Sequence, residues 1–257
     1  MIIAGIFLLL AVTLFLYMIK PNSRRFTGFP IQMFAHRGLH RKGIPENSSA
    51  AFIRAVEKGF GVELDVRFTS DKKLIVFHDD NLKRMCGADI PVKSVTYGQL
   101  KEYRLAGADE KIPLFEEVLR DLKGLPVICE IKSIPGEDVQ EICEAVCRHL
   151  QSYNGFYCIE SFNPYVVRWF AKNRPEIIRG QLSMNFMKAT EGIAFIQAFL
   201  MTHLLVNILG RPDFIAYRFT DDSAGFYLCR KIFRPICAAW TARGEKEQKQ
   251  AGLKYQA

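Results

Sequence analysis

No stretch rich in proline or serine interrupts this 257-residue chain, no internal repeat recurs along it, and no low-complexity tract appears apart from the charged segment 243–250, which reads as a solvated helix. Those absences exclude a repeat array and a string of domains on linkers, and leave one barrel-sized domain with a short appendage. A disulfide framework is also missing: the seven cysteines are odd in number and scattered, as in a reducing compartment. Cys143 and Cys147 lie one helical turn apart with His149 nearby, but no second Cys or His pair completes a zinc site, so packing is the better reading. The net charge of +8 comes without any nucleic-acid motif. A phosphate-bearing substrate or an anionic membrane surface accounts for it with less strain than a nucleic acid does.

Among the features present, the first lies at the N-terminus. Ile2 to Ile19 is an unbroken uncharged run of mainly Ile, Leu, Phe, Val and Ala, long enough to cross a hydrocarbon core at about 1.5 Å per residue. It has no basic region before it and no small-x-small cleavage site after it, which favours an anchor over a cleaved signal. Lys20, Arg24 and Arg25 flank its C-terminal end, and the positive-inside tendency places the catalytic domain in the cytoplasm. The organisation expected is a transmembrane anchor over 1–20, a basic linker over 21–30 and one domain over 31–257. The protein is then a single-pass membrane protein.

Within that domain apolar runs and amphipathic segments alternate. Strands are expected at Ile31 to Ala35, around Val62 to Val66, at Val127 to Ile131, Phe156 to Glu160, Ile177 to Leu182, Phe214 to Tyr217 and Ile236 to Trp240, with a further extended piece at Leu74 to Phe77. Helices are expected at Ser49 to Lys58, capped by Asn47 or Ser48, then at Gln99 to Arg104, Pro113 to Leu122, Asp138 to Leu150, Pro164 to Lys172, Asp222 to Ile232 and along the charged C-terminal stretch. Strand followed by helix, repeated, is the pattern of a parallel α/β protein. Ile193 to Leu209 is apolar but carries Gln197, His203 and Asn207, so it suits a β-to-α excursion whose apolar face lines an entrance for a lipid tail, rather than a second span.

The chemistry is concentrated early. His36-Arg37-Gly38, Pro45-Glu46-Asn47, Glu63-Leu64-Asp65 and His78-Asp79 follow one another closely, and Glu130 and Lys132 come later. In a strand Glu63 and Asp65 share one face while Val62, Leu64 and Val66 share the other. Two carboxylates side by side there are costly unless something positive lies between them. Histidines titrate near neutrality, an arginine fork suits a phosphate, and carboxylates hold a hard divalent cation. Together these are the requirements of metal-assisted cleavage of a phosphate diester. His40, His149 and His203 belong to no such grouping and read as structural. Glu46 serves equally as a supplement to the site or as an acid at a helix N-terminus.

In this order the motifs resemble those of the glycerophosphodiester phosphodiesterases, over roughly residues 31 to 245, with further echoes at Glu160-Ser161-Phe162, Arg211-Pro212-Asp213-Phe214 and Trp240-Thr241. The resemblance implies a TIM (β/α)8-type barrel that hydrolyses glycerophosphodiesters to sn-glycerol 3-phosphate and an alcohol with one divalent cation, Mg²⁺ or Ca²⁺, in glycerophospholipid breakdown. It implies His36 and His78 as acid and base; with them Glu63, Asp65 and Glu130 are expected as metal ligands and Arg37 as a phosphate contact. Lys132 is expected as a phosphate contact or an ion-pair partner of Glu130, and Trp240, at a strand end, as a substrate-stacking ring or equally a plug of the barrel. Family members continue into a last strand from about Leu253, so the final strand is expected to be truncated here. Two rival readings stand beside this one: a phospholipase of C or D type acting on lysophospholipids at the membrane, and a catalytically silent, membrane-tethered binding module. The partners expected are the substrate and the membrane, with no nucleic acid; the sequence points to no protein partner.

Overall fold

Strand and helix alternate along the chain much as the apolar periodicity predicts. The computed structural model describes residues 2–22, 26–30, 33–133, 136–188, 192–252 and 255, and it separates into two units: residues 30–159, and residues 1–29 together with 160–257. In chain order the elements are α1 (Ile2–Ile19), β1 (Phe34–His36), α2 (Ser49–Lys58), β2 (Gly61–Phe68), β3 (Leu74–Val76), α3 (Lys83–Cys86), α4 (Tyr97–Leu100), α5 (Phe115–Asp121), β4 (Val127–Ile131), α6 (Val139–Leu150) and β5 (Tyr157–Ser161). They continue with α7 (Pro164–Asn173), β6 (Arg179–Ser183), α8 (Phe195–Thr202), α9 (Asn207–Gly210), β7 (Phe214–Arg218), α10 (Ala224–Leu228), β8 (Ile236–Trp240) and α11 (Gly244–Gly252).

In the unit of residues 30–159, β1 and β4 flank β2 in parallel, with Ala35 opposite Val62 and Leu64 opposite Cys129. β2 is buried along its whole length, and Val62, Leu64 and Val66 are fully enclosed. Ser48, not Asn47, caps α2: its hydroxyl accepts from the Ala51 N–H at 3.2 Å, and Gly59 ends the helix in the left-handed region. Ala51, Phe52 and Ala55 form the buried stripe of α2. β3 is the further extended piece expected at Leu74 to Phe77, and it pairs antiparallel with β2. Beyond it residues 75–112 build a small core of their own around Phe77, Leu82, Leu100 and Leu105. The helix expected at Gln99 to Arg104 sits earlier, because Thr96 and Gln99 close a reciprocal capping box at its start.

In the other unit β6, β7 and β8 run parallel, with Leu182 opposite Ala216 and Ala216 opposite Ala238. The apolar stretch Ile193 to Leu209 is two helices, α8 and α9, broken where Leu204 takes a left-handed φ of 59°. The helix expected at Asp222 to Ile232 likewise divides into α10 and a π-helical turn, Cys229–Phe233. Arg179 is buried against Asp213 at 3.3 Å and donates to the Gly210 and Arg211 carbonyls, which secures the start of β6. α1 is the one helix among the described residues long and apolar enough to cross a membrane, and its residues 2–14 are exposed. α11 is charged and largely exposed, as a solvated helix should be. The expected onset of a further strand falls mostly on residues 253, 254, 256 and 257, outside the described residues, as do Arg24, Arg25, Ile31 and Gln32. Tyr255 is buried and stacks on Phe226 at 5.9 Å.

Candidate active site

All the polar groups of the early motifs belong to the unit of residues 30–159. His36 ends β1, and the register of β1 on β2 sets it opposite Glu63, with its Nε2 3.9 Å from Glu63 Oε2. The chain then turns sharply: Arg37 and Gly38 take φ of 56° and 79°, and the Arg37 carbonyl accepts from the Asn47 N–H at 2.9 Å. Glycine is required at 38, because a Cβ there would stand 2.9 Å from the Ala51 Cβ. The turn aims the Arg37 N–H at Glu63 Oε2, 2.9 Å away, and carries the guanidinium to Glu46 at 2.8 Å and Asp65 at 3.4 Å.

The register of β2 on β4 sets Asp65 opposite Glu130. Glu63, Asp65 and Glu130 are all buried, and one carboxylate oxygen from each lies within 4.8 Å of the others. Lys132 bridges two of them, with its ammonium 2.5 Å from Glu130 Oε1 and 3.0 Å from Asp65 Oδ1. Asn47 donates to Asp65 Oδ2 at 2.8 Å, while its own Oδ1 is buried without a hydrogen-bond partner among the described residues.

His78 follows β3, held there by Arg67, which donates to the carbonyls of Phe77 at 3.2 Å and His78 at 2.6 Å. Asp79 Oδ1 lies 2.6 Å from His78 Nδ1, fixing the ring and leaving Nε2 for other partners. Asp79 is in turn gripped by Arg84 at 2.6 and 3.0 Å, and Arg84 reaches Glu46 at 2.6 Å. Glu46 thus ties Arg37 to Arg84, which is the role it plays in this structure.

Burial pushes Glu130 up to about 7, against the pull of the Lys132 ammonium and with help from the Asp65 charge. Burial opposes ionisation of Asp65 too, but the charges of Lys132, His78 and Arg37 hold it below the usual carboxylate range. Burial thus favours the neutral form of Glu130 while the cations beside Asp65 keep that acid ionised. An all-oxygen set of three converging carboxylates fits a hard divalent cation, and the buried Asn47 Oδ1 adds a further oxygen close by. Burial and the Arg37 charge lower His36 to about 3, while burial and the Lys132 charge lower His78.

A family model described as the glycerophosphoryl diester phosphodiesterase family matches residues 36–199, starting at the first histidine of the cluster. The chain belongs to that family. A glycerophosphodiester phosphodiesterase of Caldanaerobacter subterraneus is 37% identical over 166 residues, 58% of this chain and 65% of that protein. A lysophospholipase D of Homo sapiens is 30% identical over 154 residues, 54% of this chain and 49% of that protein. The chain therefore spans between about half and two thirds of the length of these curated relatives. Among solved structures, an Oleispira antarctica phosphodiesterase in complex with the product sn-glycerol-3-phosphate matches with a TM-score of 0.71 and 22% identity, covering 88% of this chain and 91% of that one. That likeness shows the fold, in keeping with the expected TIM-type α/β class.

Seven of the eight expected site residues of this family member, His36, Arg37, Glu63, Asp65, His78, Glu130 and Lys132, fall in one unit and within the matched residues. Trp240 falls in the other unit and beyond the match. There its indole N–H donates to the Ser183 and Ala216 carbonyls at 3.2 and 3.3 Å, and Phe162 meets its ring edge to face. Sequence reasoning missed the supporting residues Arg67 and Arg84, and in it Asn47 reads as part of the Pro-Glu-Asn turn or as a helix cap. Arg67 was legible, since it continues the polar face of β2 after Glu63 and Asp65. Arg84 was not, because only tertiary folding brings it from beside Asp79 to Glu46, 38 residues away in sequence.

His40, His149 and His203 were expected to be structural. His149 packs edge-on to Phe115, and His203 lies against Phe199 while its Nδ1 accepts from the Gly225 N–H. All seven cysteines are free thiols, and all but Cys86 are buried.

Proposed function

We propose that this chain hydrolyses glycerophosphodiesters to sn-glycerol 3-phosphate and an alcohol, with His36 and His78 moving the protons. The observation that carries the reading is the convergence of three buried carboxylates between a histidine at the end of β1 and a second, carboxylate-oriented histidine after β3. In this reading Arg37 and Lys132 bind the phosphate oxygens. One imidazole takes the proton from the attacking hydroxyl, either water or the neighbouring glycerol hydroxyl. Attack by the glycerol hydroxyl gives a cyclic phosphate that water then opens. The P–O bond to the alcohol breaks, and the other imidazole returns a proton to the leaving oxygen. We assign that donor to His78, because Asp79 stabilises its protonated form. Glu63, Asp65 and Glu130 would hold one divalent cation, Mg²⁺ or Ca²⁺, which offsets the charge on the phosphoryl oxygens.

Lysophospholipids are the second substrate class. The exposed apolar surface of α1 and the relative named lysophospholipase D favour it. With α1 as a membrane anchor and basic residues on its C-terminal flank, the catalytic part lies on the cytoplasmic side. Release of glycerol 3-phosphate from glycerophosphocholine, measured beside choline release from lysophosphatidylcholine, separates the two classes. No turnover of either would leave only a binding module.

The lowered histidines give a pH signature. A base must be neutral to act, and both imidazoles stay neutral to a lower pH than a free histidine. At saturating cation the acid limb of kcat/KM is therefore expected below pH 6.5. Activity is lost as pH falls through the lowered value of the base, and falls again as pH rises past the lowered value of His78, which must carry its proton to donate it. An acid limb at or above 6.5 would refute the assignment. Cation binding behaves oppositely, because Glu130 must release a proton at about 7 before it can act as a ligand. Calorimetric titration should show affinity falling as pH drops below 7.

A further inference from the structure

We propose that α8 is a second membrane-contact element, its exposed stripe Phe195, Ile196 and Phe199 lying at the headgroup–acyl boundary of the same bilayer that α1 enters. This rests on the reading of α1 as an anchor and adds to it a defined attitude of the unit to which both helices belong.

The root of α1 leaves no slack. Residues 2–14 are exposed, Phe15, Leu16 and Met18 are half-buried, and Ile19 is fully enclosed with Leu204, Ile215, Tyr217 and Phe226. The carbonyls left open at the end of a helix are satisfied by the domain itself. Arg211 donates to Tyr17 O and Lys20 O at 2.7 Å each, Asn207 donates to Ile19 O at 3.0 Å, and the Arg211 guanidinium lies 4.5 Å over the Tyr17 ring. No polar spacer separates the apolar helix from the core. Whatever surface surrounds that root is brought to the bilayer with it.

The direction of α1 identifies this surface. Just past the helix, the Asn22 N–H donates to Pro212 O at 2.9 Å and its side chain to Asp213 at 2.7 Å, immediately before β7 begins. Ile19 meets Cys229, and α1 packs against α9 and against α10, which starts beside the C-terminal end of β7; Phe15 and Leu16 of α1 pack on the same cluster as Leu200 of α8. α1 therefore runs back from the N-terminal edge of β7 and leaves on the side of the strand C-terminal ends. α8 sits at that same edge. The Ser183 hydroxyl at the end of β6 donates to Met201 O at 2.8 Å, and the Tyr217 hydroxyl near the end of β7 donates to Thr202 O at 3.1 Å.

α8 has the make-up of an interfacial helix. Ala198 and Met201 pack inward against Phe186, whereas Phe195 and Ile196 are 70% and 71% exposed and Phe199 is 39% exposed. These three occupy i, i+1 and i+4, one stripe of a helix that carries no charged residue. Lys188, its side chain 65% exposed and paired with Asp221 at 3.3 Å, precedes the helix at the same strand edge. An apolar stripe continuous with the exit of an anchor helix has the bilayer as its natural cover.

The test uses the full chain reconstituted in vesicles of phosphatidylcholine and phosphatidylglycerol, with F195W and, separately, I196W as reporters. Brominated acyl chains should quench the added tryptophan beyond the background of Trp169 and Trp240, and its emission should shift to the blue. Retention of the chain through an alkaline wash without added quenching would overturn this inference and leave the anchor standing. A blue shift without bromine quenching would overturn it in favour of a second protein copy covering the stripe. If the chain washes off the vesicles, the anchor reading fails and takes this inference with it.

Discussion

His78→Ala and, separately, His36→Ala are expected to lower kcat by about 10²- to 10⁴-fold, the contribution of a positioned proton carrier, while each chain folds as before. The expectation of an intact fold rests on the contacts. Both side chains are about a third exposed, and the His78 ring is held by its bond to Asp79. Asp79 keeps both of its Arg84 bonds when the ring is removed, so no buried charge loses its partner. Loss in kcat without a comparable change in KM is the pattern of an interaction made in the transition state. Measured glycerol 3-phosphate release beside a thermal melt decides the matter. Near-wild-type turnover in either variant, with the melt unchanged, would remove that histidine from the reaction.

Chelation should abolish turnover, and added Mg²⁺ or Ca²⁺ should restore it. Glu63→Gln should raise the cation concentration needed by at least about 100-fold, the upper end of what changes outside the direct ligands already cost. Glutamine can still accept the Arg37 N–H at the position of Oε2, so the turn after β1 is kept while one negative charge leaves the cluster. Asp65 is a poorer probe. Fully buried against Lys132, Arg37 and Asn47, it cannot be neutralised without taking one of two carboxylate partners from each cation, Lys132 keeping Glu130 and Arg37 keeping Glu46, so a loss of stability would be mixed with any loss of cation binding. Turnover indifferent to chelator, or a Glu63→Gln enzyme with wild-type cation dependence, would show that the acids serve the fold alone.

How far the chain could be read in advance varies with the distance over which each feature is decided. The period-2 alternation of β2 placed Glu63 and Asp65 on one face, and Glu130 with Lys132 on one face of β4, before any pairing was known. The cap at Ser48 and the stop at Gly59 were local as well. Leu74–Val76 was legible as an extended piece apart from the alternation, but only its antiparallel pairing with β2 shows it to be a ribbon. The helix boundaries at Tyr97 and at Cys229 moved for similar reasons: a capping box in one place and a π-helical turn in the other override the apolar period.

By itself the amino-acid order determined the α/β alternation, the apolar N-terminal helix and the inventory of acids, imidazoles and cations, because strand and helix periodicity act over a few residues. Tertiary structure decided which of those groups meet. The register of β2 on β4 set Asp65 against Glu130, and the left-handed turn at Arg37 and Gly38 brought a guanidinium to Asp65. The folding of residues 75–112 delivered Arg84, with Asp79, to Glu46. The burial that moves Glu130 and His36 so far in opposite directions is a property of the packed site, since desolvation exists only once the surrounding chain has excluded water.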